Sequence, residues 1–269
     1  MKGLQRRLFS VTSTVFCLAA TLAVLQEVRH QLGDESTFTG WTLLASTMGL
    51  YLLSARKKWI RLKLGPVAGW LQMHMYMGVF ASLVFLTHIG WPIRGKFELA
   101  LAFAFVAFTG VVLGVLNRTT PRRLAAIPRD YSVDQIPALQ LGVASDAHDV
   151  AMQSSVLGEG ATLSEYYQRR LLPYFQSQRS LLYTLAPTGF RRRALLRELG
   201  DLDRYLGERG LQSRANLAAM IKVKDDLDFH HAIQTRLKIL FAAHFALTWS
   251  LAILIAVHVV LVYRFQGAM

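Results

Sequence analysis

The chain is predicted to be an all-α integral membrane protein, with about five transmembrane helices and a helical cytoplasmic insertion. Three observations predict this class. Hydrophobic residues make up 53% of the 269 residues. Several apolar runs are long enough to cross about 30 Å of hydrocarbon. Lysines and arginines gather beside those runs, as expected where basic flanks set orientation across a bilayer. The mean hydropathy is positive, at +0.31. A formal net charge of +13 is large enough to suit nucleic acid, but orientation accounts for the placement of the basic residues better, so no nucleic-acid partner is expected.

The first span, about Leu8 to Val28, follows Lys2, Arg6 and Arg7 and has no clean A-x-A cleavage site after it, so it reads as an uncleaved anchor. The second, about Thr37 to Ala55, ends in Arg56, Lys57, Lys58, Arg61 and Lys63. A third, about Pro66 to Gly90, leads into the short turn Trp91 to Lys96, and the fourth, about Phe97 to Leu116, ends at Asn117, Arg118, Pro121, Arg122 and Arg123. The fifth covers about Ile239 to Tyr263. Residues 1–117 thus hold helices 1 to 4, residues 118–238 the helical insertion, and residues 239–269 helix 5 with a short outer tail. The basic flanks after spans two and four put the N-terminus and the insertion in the cytoplasm and the C-terminus in the periplasm of a bacterial-type inner membrane.

Two of the spans each carry a pair of histidines fourteen residues apart, His74 with His88 and His244 with His258. Fourteen helical steps return to within about 40° of the starting face and rise about 21 Å. Each pair therefore shares one face, with one ring toward each side of the bilayer. Spans three and five run in the same direction, and Arg94 and Arg264 each lie six residues beyond the second histidine. By this reasoning His88 faces His258 near the outer surface, and His74 faces His244 nearer the cytoplasm. Ionisable residues in a span are costly unless partnered. Four neutral imidazoles in two facing pairs match the axial ligands of two b-type haems. The lone Cys17 excludes a disulfide framework, an all-cysteine iron-sulfur cluster and covalent C-x-x-C-H haem attachment within this chain, so the haems are expected to be non-covalent.

Other residues are read more plainly. Met73, Met75 and Met77 fall on other faces from His74 and are expected to pack as flexible filler. Gly78, one turn after His74, leaves room for a macrocycle, whereas Gly110 and Gly114 form a G-x-x-x-G pattern that favours close helix packing. His230 also stands fourteen residues before His244, but Asp225, Asp226 and Asp228 before it and Arg236 and Lys238 after it place His230 and His231 in water. His30 and His148 are read as exposed.

The pattern His74, His88, His244 and His258, on parallel third and fifth helices with a cytoplasmic segment between spans four and five, resembles the haem-binding core of ferric reductase-like and NADPH oxidase-type transmembrane cytochromes b. The resemblance covers the membrane portion. It implies that the four positions are haem ligands in a haem-binding bundle and that electrons cross the membrane from a cytoplasmic donor to an outer acceptor. Unlike that class, the sequence carries no sixth apolar run after Tyr263 and no flavin or nicotinamide domain.

In the insertion, Thr162 to Glu165 has the form of a capping box, and Arg191 to Leu206 alternates charged residues with leucines at helical spacing. The Gly158 to Gly160 G-E-G is too isolated to mark a nucleotide site. Arg191, Arg192 and Arg193 suit a solvated helix face, with anionic lipid or an acidic partner as the alternative. The expected function is electron transfer across the membrane by a diheme b-type cytochrome, as the subunit of a redox complex with a partner subunit or electron donor. The same residues leave open a quinol-linked anchor with a quinone site, and a non-haem transporter whose histidines relay protons or bind a transition metal.

Overall fold

The computed structural model describes residues 2–56, 66–90, 97–124, 132, 134–156 and 161–265. Among them the chain is all-helical, without a strand. The basic residues Lys57, Lys58, Arg61 and Lys63, the turn Trp91–Lys96 with Arg94, and Gly158–Gly160 lie outside the described residues. The fold divides into two compact units, Met1–Val115 with Ala242–Met269, and Leu116–Phe241.

The first unit contains α1 (Lys2–His30), α2 (Glu35–Arg56), α3 (Val67–Ile89), most of α4 (Phe97–Leu124) and the C-terminal part of α10 (Glu208–Phe265). Stretches of α1, α3, α4 and α10 are long and apolar enough to cross a membrane, which is compatible with an integral membrane protein. Large apolar side chains such as Phe108, Val111, Ile253 and Val260 remain exposed on them, as on helices that face lipid. Five spans were expected, and α2 does not meet the same measure of apolarity. Its sequence is rich in hydroxyls, and those of Thr39, Thr42, Ser46 and Thr47 each donate to the carbonyl four residues earlier at 2.7–2.9 Å. Such bonds satisfy the hydroxyl donors within the helix itself.

α2 packs against α3, and α1 packs against both. The core between helices joins Ala81 and Phe85 of α3, Phe103 of α4 and Leu251 of α10. The Phe85 and Phe103 rings stack with centroids 4.1 Å apart.

Asp34 starts α2. Its carboxylate accepts from the Ser36 amide at 2.9 Å and from the Ser36 and Thr37 hydroxyls at 2.7 and 2.5 Å. These bonds, that of Thr37 foremost, hold its carboxyl down to about 2. A carboxyl lowered in the folded state contributes stability that is complete above its unfolded value and is lost as pH falls through the folded one. Asp34→Ala is therefore expected to cost about 1 kcal/mol at neutral pH. Thermal unfolding of the purified protein should show the difference from the parent narrowing as pH falls from about 4 to about 2.

The second unit contains α5 (Ile136–Val156), α6 (Ala161–Tyr166), a π-helical turn (Tyr167–Leu171), α7 (Leu172–Gln176), α8 (Leu181–Leu185), α9 (Phe190–Gly200), a 3-10 turn (Asp203–Tyr205) and the N-terminal part of α10. Thr162 lies inside α6 rather than ahead of it, so the expected capping box does not form the helix start. Pro173 near the start of α7 has no N–H for the helical ladder, and the π-helical turn precedes it. Ala147, Leu163, Tyr167, Leu171, Tyr174, Leu195, Leu199, Leu217 and Ile221 close one apolar core.

Beside that core lies a buried ionic network. The Arg179 guanidinium bridges Asp228 at 2.6 Å and Asp225 at 2.9 Å. Lys224 Nζ reaches Asp228 at 2.6 Å, and Gln140 donates to the same carboxylate at 2.8 Å. Arg179 also stacks over the Tyr174 and Tyr183 rings at 5.0 and 4.7 Å, and burial raises both phenols above the usual tyrosine range. This corrects the sequence reading of these aspartates as a water interface: Asp225 and Asp228 are buried, and so is His230. His231, His30 and His148 are exposed.

Candidate functional site

The first unit brings the four histidines of the apolar helices together at two levels. At one level His88 of α3 and His258 of α10 line the same cavity of about 800 Å³. At the other, His74 of α3 and His244 of α10 lie near each other. All four are partly buried. Because each helix carries its pair fourteen residues apart, these two meetings require α3 and this part of α10 to run in the same direction.

The hydrogen bonds around the rings decide which nitrogen is available. His74 Nδ1 lies 3.2 Å from the Leu50 carbonyl, which can only accept, so Nδ1 carries the proton. His88 Nδ1 lies 2.9 Å from Thr39 Oγ1. The Thr39 hydroxyl has its one hydrogen engaged with the Glu35 carbonyl at 2.7 Å, so it accepts from His88. His244 Nδ1 stands in the same relation to Thr109, at 2.9 Å, with the Thr109 hydroxyl donating to the Phe105 carbonyl at 2.9 Å. Three imidazoles are thus held as the Nδ1–H form, with the Nε2 lone pair left for a metal ion or a hydrogen-bond donor. This is the arrangement that orients a metal-ligating histidine, whose other ring nitrogen donates to a supporting group.

Glycines fit the rings between the helices. A Cβ at Gly40 of α2 would stand 3.2 Å from His88 Cε1, and one at Gly110 of α4 3.3 Å from His244 Cε1. A Cβ at Gly78 would meet nothing within 4 Å, which leaves open space one turn beyond His74. Two of the methionines pack against glycines: Met77 sulfur would lie 2.6 Å from a Cβ at Gly49, and Met75 sulfur 3.5 Å from one at Gly114. The G-x-x-x-G pair of α4 therefore serves close packing, with Gly110 making room for an imidazole.

The supporting residues Thr39, Leu50, Thr109 and Gly40 have no signal of their own in the sequence, because threonine and glycine are common in apolar helices. Reading α2 and α4 for small or hydroxyl residues at the depth of each histidine would have found Thr39, Gly40 and Thr109, but not the Leu50 backbone carbonyl. Among the described residues, no group of three or more His, Cys, Asp or Glu converges as a metal cluster. Beside His88 and His258 the cavity opens on Arg29, Asp34 and Glu35, with Arg29 and Glu35 paired at 2.9 Å.

Comparison with protein-family models, with curated proteins and with solved structures gives no match to this chain. The fold and the site define an all-helical chain, compatible with an integral membrane protein, that holds two imidazole pairs between its apolar helices.

Proposed function

We propose that this chain is a diheme b-type cytochrome that transfers electrons across a membrane, in which His74 and His244 would hold one haem and His88 and His258 the other. One observation carries the reading: imidazoles meet in two pairs, and three of the four rings are anchored through Nδ1–H with Nε2 left to bind. A haem would need only two donors from the protein, whereas a bare transition metal takes about four from side chains and water. Paired imidazoles suit the first. The cavity of about 800 Å³ beside His88 and His258 lies within the range of cofactor sites.

When bound, haem supplies reversible one-electron chemistry at iron. The chain's own part is to hold the ligands and exclude water. Thr39 and Thr109 fix ring orientation and make the imidazoles better donors. The apolar side chains of α3, α4 and α10 surround the pairs, and the two levels are separated by about 21 Å of helix rise.

In this reading α1 to α4 and the apolar part of α10 span a bacterial-type inner membrane as five helices. The N-terminus and the Leu116–Phe241 unit face the cytoplasm and the C-terminus the periplasm, as the basic flanks indicate. The four histidines carry the resemblance to ferric reductase-like and NADPH oxidase-type cytochromes b, and a partner subunit or a quinol supplies the electrons.

The test is a reduced-minus-oxidised spectrum of the protein purified from haem-replete cells, with a haem-to-protein ratio. Two low-spin b-type haems per chain, both extracted by acid-acetone, are expected. A haem-free preparation would overturn the proposal. In sealed vesicles a chemical reductant should reduce both haems and NADH or NADPH alone should not, while rapid reduction by a quinol would identify the donor class.

Thr109→Val keeps the shape of the side chain and removes the acceptor for His244 Nδ1–H. Loss of such a support costs roughly ten- to a hundredfold in affinity for the metal group. Haem transfer to an apoprotein scavenger should be faster from Thr109→Val than from the parent, with the helical content unchanged. Equal transfer rates would show that the threonine does not support the ligand.

A further inference from the structure

One surface feature stands apart from the histidine site. α8 leaves Leu181, Leu182 and Leu185 exposed at 78%, 78% and 63%, and Phe190 at the start of α9 is exposed at 70%. Four large apolar side chains within ten residues, open on a unit with a well-formed core of its own, call for a covering surface. Arg191 and Arg193 follow directly and are exposed, so the apolar cluster carries a basic edge.

The position of the cluster is fixed by one bond. Arg236 of α10 donates to the Leu185 carbonyl at 2.9 Å. Arg236 lies three residues, or about 4.5 Å of helix rise, before Ile239, where the apolar run of α10 begins. Lys238 between them is exposed. α8 is therefore tied to α10 just before the start of its apolar run, where, in the membrane reading, the helix enters hydrocarbon. At that depth leucine and phenylalanine enter the acyl boundary while arginines stay among the headgroups, and each basic residue near the surface favours anionic lipid.

We propose that Leu181–Phe190 is a membrane-surface anchor, in which Leu181, Leu182, Leu185 and Phe190 insert into the interfacial layer of an anionic bilayer and Arg191 and Arg193 bind its headgroups. This rests on the membrane reading of α10 and is independent of haem. A solvated face and a protein partner are the competing occupants. A solvated face leaves four large apolar groups in water, and a protein partner gives no reason for the tie to the base of the span.

The test uses full-length protein in vesicles of phosphatidylcholine with phosphatidylglycerol, in a Cys17→Ser background, carrying a single spin label at Leu182→Cys, Glu208→Cys or Val257→Cys. Glu208 and Val257 are exposed on α10, the first far from Arg236 and the second inside the apolar run. Collision with membrane-dissolved oxygen, relative to a water-soluble nickel complex, is expected to be several-fold higher at 182 and 257 than at 208. Replacing phosphatidylglycerol by phosphatidylcholine should lower the ratio at 182 alone. Lipid exposure at 257 with water exposure at 182 overturns the anchor and leaves the membrane reading intact. Water exposure at both overturns the membrane reading too, and an unchanged ratio at 182 in neutral lipid overturns the headgroup role of the arginines.

Discussion

Replacing His258 by Ala is expected to remove one of two haems, and replacing His88 by Ala to remove the same one. His88 and His258 line one cavity, so under the proposal both rings would hold the one haem there and removal of either would release it. His74→Ala and His244→Ala should together define the other haem. Spectra of the four purified variants, each with a haem-to-protein ratio, check this. Loss of different spectral components on changing His88 and His258 would show that the pairing by depth is wrong. Among these rings His258 is the one for which no hydrogen bond is seen among the described residues. Its variant is thus expected to disturb the surrounding helices least, and retained helix content with one haem missing separates ligand loss from misfolding.

Asp228→Ala is expected to destabilise the Leu116–Phe241 unit by about 3–5 kcal/mol, the range for breaking a buried ion pair by removing one partner. The Asp228 carboxylate is 1% exposed and answers both Arg179 and Lys224. Without it Lys224 loses its carboxylate partner in a buried site and Arg179 keeps only Asp225. Burial already lowers the Lys224 amine below the usual lysine range and raises the Asp225 carboxyl. Limited proteolysis should cut within α8 and α9 at lower denaturant in Asp228→Ala, with the haem spectrum unchanged. Stability equal to the parent would show that the network is solvated in the folded unit.

The legible part of this protein is the part set by local periodicity. Long apolar runs mark the helices because a bilayer-length helix requires them, and the fourteen-residue spacing puts each histidine pair on one face because helical rotation does so regardless of neighbours. Helix ends were read less well. α1, α4 and α10 continue into polar sequence, since hydropathy marks where a span is apolar rather than where the backbone ladder stops. α10 in particular runs without a break from Glu208 to Phe265, across the boundary expected near Ile239.

What only the tertiary structure decided is which residues meet these faces. Thr39 reaches His88 across 49 residues and Thr109 reaches His244 across 135, so no local pattern announces either contact. Asp225 and Asp228 look solvated in the sequence, yet Arg179, 46 and 49 residues away, takes them into the interior. Thus the sequence by itself determined an all-helical, apolar chain with two same-face histidine pairs. The packing of α2 and α4 against α3 and α10 decided which ring nitrogen is held and which is left to bind, because the partner of a side chain is chosen by folding and not by its neighbours in the chain.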